Sequence, residues 1–311
     1  MEIVVSTVLT IVGLVMLCFG GNWLVSGGVA IAKKFRISNL VIGMTIVAYG
    51  TSTPELAASI AAAGEHSAII LGNIVGSNIA NVGMVIGIAA ILTPLTVRKS
   101  ALRKEIPIML GVSFLLVLLS FDGEISQYDG VLLLVGLGIF GFYTFKDAMK
   151  QREKNKENTE QSKNNIYLKS AGLIGLGIIL LYIGAILTVD NAVILAKEFG
   201  LSEKIIGLTV IAIGTSLPEL ITSVIAIRKG HVDIGVGNII GSNIYNILMI
   251  MGVGAALGGV VITSDAYVDY AIMIIFSLSL LIALKTGIIN RAMGVCLAIG
   301  YVVYLIVTFF K

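Results

Sequence analysis

Two glutamates stand at positions where the surrounding sequence argues against them. Glu55 lies in AYGTSTPELAAS and Glu219 in AIGTSLPELITS, each within an apolar run and each directly after a proline. A carboxylate in hydrocarbon costs several kcal/mol, and a proline in a helix interior about 3 kcal/mol. Of the 18 Asp and Glu, these two alone lie well inside such a run. No Lys or Arg occurs at comparable depth, so an internal ion pair does not account for them, and two protonated carboxyls explain them less well than bound cations. Pro54 has no N–H for the carbonyl of Gly50, and Pro218 has none for Gly214. Carbonyls near Ala48–Thr51 and Ala212–Thr215 are therefore expected to be freed, as ligands for a hard cation.

Helical spacing gathers the other candidates. Thr51 with Glu55, Ser77 with Asn81, Thr215 with Glu219 and Ser242 with Asn246 are each i, i+4, so each pair shares one helix face. Ser52 and Ser216 add hydroxyls one position round. The set is all oxygen, with no His or thiol, which argues against zinc, copper or iron. Calcium takes roughly six to eight oxygen ligands in flexible geometry, and two carboxylates balance one divalent charge. Na⁺, of nearly the same size, is the natural competitor. Asn73, Asn78, Asn238 and Asn243 are as suited to bracing or capping as to binding. Gly72, Gly76, Gly237 and Gly241 follow the small-xxx-small pattern of close helix packing.

The elements that position these residues are spanning helices. The chain of 311 residues is 57% hydrophobic and 13% charged, with mean hydropathy +1.01. Its apolar runs are too long for strands. Spans are expected near 3–32, 38–63, 68–92, 105–121, 129–146, 167–196, 204–227, 233–259, 267–284 and 289–310. This predicts an all-α polytopic membrane protein with ten transmembrane helices. The first run lacks the basic region and cleavage site of a signal peptide and is expected to remain as a span. Cys18 and Cys296 read as small core residues.

The one long polar stretch, KQREKNKENTEQSKNN, reads as a flexible cytoplasmic linker. It divides a first five-helix unit (1–149) from a second (167–311), with the linker at 150–166. The halves repeat: AKKFRISNLVIGMTIVAYGTSTPEL matches AKEFGLSEKIIGLTVIAIGTSLPEL, and GNIVGSNIAN matches GNIIGSNIYN. Because five is odd, equivalent helices must cross in opposite directions, as in inverted-repeat transporters. With both termini outside, 18 of the 21 Lys and Arg fall on the cytoplasmic side, as the positive-inside rule requires. A multi-pass protein of the cell membrane is expected, with both termini extracellular.

The two copies of GTS-x-PE followed by GN-x-x-GSN-x-x-N resemble the alpha repeats of the sodium/calcium exchanger family, within the cation/calcium antiporter superfamily, in a minimal prokaryotic form. The resemblance implies exchange of one Ca²⁺ for about three Na⁺ by alternating access, without ATP or a resident cofactor. It also implies roles residue by residue. Glu55 and Glu219 would be shared ligands, and Thr51 and Thr215 would add backbone carbonyls to Ca²⁺. Ser52, Ser77, Ser216 and Ser242, with the carbonyls of Ala48 and Ala212, would complete the Na⁺ sites, and Asn81 and Asn246 would line the centre. Some members, including potassium-dependent ones, carry Asp where this chain has Asn246, so potassium independence is expected. With two acids, three Na⁺ leave the site at +1 and one Ca²⁺ leaves it neutral, which implies electrogenic exchange. The Gly-rich first and sixth segments would slide as gates. A monomer in lipid is expected, with Ca²⁺ and Na⁺ as substrates and no nucleic acid partner. The alternative is a calcium/proton exchanger using the same glutamates, although the serines favour sodium. A channel fits the repeat less well. An intramembrane hydrolase built on Ser52 lacks a partner His or Lys at depth.

Overall fold

The computed structural model describes residues 2–64, 66–154, 165–200 and 212–310. Part of the predicted linker and residues 204–211 of the predicted seventh span lie outside the described residues. Among those described, the helices are α1 (Glu2–Phe35), α2a (Asn39–Thr51), α2b (Thr53–Ala62), α3 (Ser67–Leu92), α4 (101–119) and α5 (Gln127–Lys154). They continue as α6 (Asn165–Glu198), α7a (Ala212–Thr215), α7b (Leu217–Arg228), α8 (Val232–Gly258), α9 (Ala266–Thr286) and α10 (Arg291–Phe310). Seven of them are long and apolar enough to cross a membrane, so the chain is an all-α, multi-pass membrane protein.

Burial divides these helices into a centre and a periphery. In α3 and α8, 83% of the most apolar window is buried, against 22% in α1 and 28% in α6. The outward side chains of α1 and α6 are nonetheless Ile, Val, Leu and Phe, as a lipid-facing surface requires. This overturns the reading of Cys18 and Cys296 as core residues, since both are exposed free thiols. The reason is general: a lipid-facing helix flank is as apolar as the core, so an apolar sequence context does not signal burial.

The peripheral pair α1 and α6 pack along each other on glycine. A Cβ on Gly20 would fall 2.8 Å from the Gly177 carbonyl, and one on Gly177 would fall 2.9 Å from that of Gly20. In the centre, α8 crosses α2a just as closely. A Cβ on Gly237 would stand 2.7 Å from the Leu40 carbonyl, and one on Gly241 2.6 Å from that of Met44. Absence of a side chain at these positions lets the two backbones meet.

Two antiparallel clasps, invisible in the sequence, tie loops from opposite halves of the chain. Leu95–Thr96 pairs with Ile288–Ile289, and Glu124–Ile125 pairs with Val260–Val261. Each is two residues long, too short for any alternating pattern to announce it.

Candidate cation site

Both motif helices break at a serine. Ser52, between α2a and α2b, has ψ 8°, and Ser216, between α7a and α7b, has ψ 3°. The following helix restarts with Pro54 or Pro218 in its first turn, where the missing N–H has no helical partner to lose. The break is narrower than the sequence suggests, because Ala48–Thr51 remains helical. The Ala48 carbonyl is not freed: it accepts from the Ser52 N–H at 3.0 Å and the Thr51 hydroxyl at 3.3 Å. Local hydrogen bonds thus close over the Ala48 carbonyl.

The break sets each glutamate in the first turn of a new helix, Glu55 in α2b and Glu219 in α7b. Both are 1% exposed, and their carboxyls lie close enough to interact directly. Ser52 donates to Glu219 Oε1 at 3.2 Å, and Ser242 reaches the same oxygen at 3.5 Å. Thr51 donates to Asn238 Oδ1 at 3.0 Å and lies 3.4 Å from the Ser242 hydroxyl. Residues from both halves of the chain therefore share one buried cluster.

Asn81 and Asn246 each open a π-helical turn, Asn81–Ile86 in α3 and Asn246–Met251 in α8. Such turns shift the hydrogen-bond register and recur at functional sites. The Asn81 turn packs against α7b, and the Asn246 turn packs against α2b. Asn81 donates to Asn243 Oδ1 and Asn246 to Asn78 Oδ1, both at 3.0 Å. Asn78 and Asn243 also donate to each other's backbone carbonyl at 3.4 Å. Their amides further meet Met273 Sδ and Met109 Sδ, each at 3.6 Å.

Asn73 and Asn238 brace the motif helices. Asn73 donates to the Glu55 carbonyl at 3.1 Å and to Ser59 at 3.0 Å, and Asn238 donates to Ser223 at 3.0 Å. Asn73, Asn78, Asn238 and Asn243 thus all make bracing contacts between helices. Met109 and Met273 carried no signal, being apolar residues in apolar runs.

Ser77 and Thr215 border a cleft of ≈ 410 Å³ together with Asn73, Asp269 and Tyr304. Ser216 is fully buried. Ala212 begins α7a.

Eight buried side-chain oxygens among the described residues have no hydrogen-bond partner, and five of them belong to this cluster: Glu55 Oε2, Glu219 Oε2, Asn81 Oδ1, Asn246 Oδ1 and Ser216 Oγ. Leaving a buried polar atom unpaired costs about 1–3 kcal/mol, and more for a charged group. All five are acceptors or hydroxyls, which a hard cation would satisfy together.

Fold and site together define a polytopic helical membrane protein built round a buried cluster of oxygen-bearing side chains. The chain belongs to the sodium/calcium exchanger protein family, whose model matches residues 5–146 and 169–310. It is 34% identical to the sodium/calcium exchanger MaX1 of Methanosarcina acetivorans, covering 99% of each chain. It is 37% identical to the inner membrane protein YrbG of Escherichia coli, over 96% of this chain and 95% of that one. A structure of the sodium-calcium exchanger NCX_Mj, soaked with Na⁺ and Sr²⁺, superposes with a TM-score of 0.86 at 33% identity, covering 98% of this chain and 99% of that one. These relatives are ion exchangers and membrane proteins, not enzymes, which sets the hydrolase reading aside.

Proposed function

We propose that this protein is a secondary antiporter exchanging Ca²⁺ for Na⁺, with about three Na⁺ per Ca²⁺, electrogenic and independent of potassium. The observation that carries this reading is one buried cluster with five partnerless oxygens, two of them on the neighbouring carboxylates of Glu55 and Glu219. Glu55 and Glu219 would be held by Ca²⁺ or by Na⁺ in turn, so the two ions compete for one charge pair. Thr51 and Thr215 would offer carbonyls to Ca²⁺. Ser52, Ser77, Ser216 and Ser242 would complete the Na⁺ positions with the Ala212 carbonyl. The Ala48 carbonyl could join only by giving up its bond from the Thr51 hydroxyl. Asn81 and Asn246 would line the centre.

Alternating access follows from the same chemistry. An empty centre with two bare carboxylates resists being closed off from water, so the protein changes sides only when loaded. The reciprocal bonds between Asn78 and Asn243, and the mirrored contacts of Asn78 with Met273 and of Asn243 with Met109, support two five-helix repeats of inverted topology with ten spans, joined by a cytoplasmic linker at 150–166. Both termini would then be extracellular in the cell membrane. The glycine seam between α1 and α6 suits these helices to slide as gates.

The test is ⁴⁵Ca²⁺ uptake into proteoliposomes. A Na⁺ gradient at constant pH should drive uptake. Uptake driven by a pH gradient alone would replace this reading with calcium/proton exchange.

A further inference from the structure

Glu105 and Asp269 each precede by one helical turn a methionine that touches the central amide cluster, Met109 in α4 and Met273 in α9. The two acids are thus counterparts, each displaced one turn outward from the centre. Each has a tyrosine of the next helix as a neighbour, Glu105 with Tyr143 of α5 and Asp269 with Tyr304 of α10. They lie at opposite ends of the molecule. Glu124–Ile125, just before α5, pairs with Val260–Val261, just before α9, so α5 starts at the Asp269 end. From there α5 runs some 20 residues, about 30 Å, to Asp147 beside Glu105.

Each acid borders a cavity. Asp269 and Tyr304 line the ≈ 410 Å³ cleft that extends to Ser77 and Thr215 of the central site. Glu105 lines one of ≈ 530 Å³ with Asp147, Gln151 and Ser38. Glu105 is 3% exposed, and its Oε2 has no partner. Arg98 and Lys104 also border this cavity, but Arg98 is paired with Asp233 at 2.6 Å. The cavity reaches Leu40 and Val41, beside the crossing where Gly237 of α8 meets the Leu40 carbonyl.

We propose that Glu105 and Asp269 are the entrance acids of two access routes, one to each face, that collect cations and pass them to the central oxygens. This rests on the exchanger reading above. A fixed carboxylate at the mouth of a low-dielectric cleft concentrates cations there and speeds their entry, in a salt-dependent way. Tyr304 lines the same cleft as Asp269, Tyr143 stands beside Glu105, and Asp147 adds a second carboxylate at the Glu105 mouth.

The experiment measures half-saturating Ca²⁺ separately from each face in right-side-out and inside-out vesicles, at low ionic strength and after adding N-methylglucamine chloride. Asp269→Asn should raise it roughly 3- to 10-fold from one face, and Glu105→Gln should do so from the other. Both shifts should shrink as salt rises. Asp269→Glu and Glu105→Asp, which keep the charge, should recover most of the affinity. Equal shifts on both faces, shifts indifferent to salt, or no shift would overturn the inference while leaving Na⁺-driven exchange standing. Should either neutral variant fail to fold, Tyr304→Phe and Tyr143→Phe carry the same test, with smaller shifts on the same respective faces. Loss of Na⁺-driven uptake in the wild-type protein would instead defeat the exchanger reading itself.

Discussion

Asn78 and Asn243 hold each other reciprocally, each side-chain amide donating to the other's backbone carbonyl at 3.4 Å across 165 positions of sequence. The same two residues accept, on their side-chain oxygens, the amides of Asn246 and Asn81. Four amides from the two halves thus form one closed network beside the glutamates, and the halves cannot separate without opening it.

Truncating this network should destabilise the protein without touching a charge. Asn78→Ala and Asn243→Ala should each cost about 1–3 kcal/mol, because each leaves buried partners unpaired. The double variant should cost less than the sum, since both singles open the same network. Thermal unfolding in detergent, carried through a double-mutant cycle, measures this, and strict additivity would contradict it.

The two serines at the helix breaks should behave differently. Ser52 donates to Glu219 at 3.2 Å, whereas the Ser216 hydroxyl has no protein partner. Ser52→Ala should lower the melting temperature of the cation-free protein, as hydrogen bonds to charged groups contribute about 1.5–3 kcal/mol. Ser216→Ala should leave it nearly unchanged and still weaken Na⁺ binding. Thermal scans with and without Na⁺ separate the two effects.

Replacing either glutamate should trade affinity for stability. Glu55→Gln or Glu219→Gln should weaken Ca²⁺ binding by about 2 kcal/mol or more, roughly 30-fold. The cation-free variant should nonetheless melt higher than wild type, because a pair of buried, facing carboxylates is relieved of one charge. Calorimetric titration and thermal scans check both halves of this expectation.

The close crossing of α2a and α8 should tolerate no added carbon. Gly241→Ala would place a Cβ 2.6 Å from the Met44 carbonyl, and overpacking of this kind costs about 1–3 kcal/mol. The cost should appear as a lower melting temperature, with slowed exchange in vesicles.

Exchange of three Na⁺ for one Ca²⁺ moves one net charge. An imposed membrane potential should then shift the Ca²⁺ distribution roughly tenfold per ~60 mV, given about 2.3 kcal/mol per charge per 100 mV. Ca²⁺ distributions measured at a series of clamped potentials test this, and a distribution indifferent to voltage would rule it out.

Much of this centre was legible in the chain itself. Glu55 and Glu219 stand out because charge in an apolar run has few explanations, and Pro54 and Pro218 because each removes a helical donor. Their recurrence with Thr51 and Thr215, Ser77 and Ser242, and Asn81 and Asn246 tied the two stretches into one hypothesis. Cys18 and Cys296 were misread for the converse reason, since apolar context cannot distinguish lipid from core.

What the sequence by itself determined is the chemistry: which oxygens are available, at what helical spacing, and that each half carries one set. Covalent order and the 3.6-residue period suffice for that. Only the tertiary structure decided which oxygens already have partners. It closed the Ala48 carbonyl with the Ser52 N–H and the Thr51 hydroxyl, and left Glu55 Oε2, Glu219 Oε2 and Ser216 Oγ without partners. It also turned Asn78 and Asn243 into braces and set Glu105 and Asp269 at opposite ends. Hydrogen bonds between residues some 165 positions apart depend on where two helices cross, and no local pattern of residues encodes that crossing.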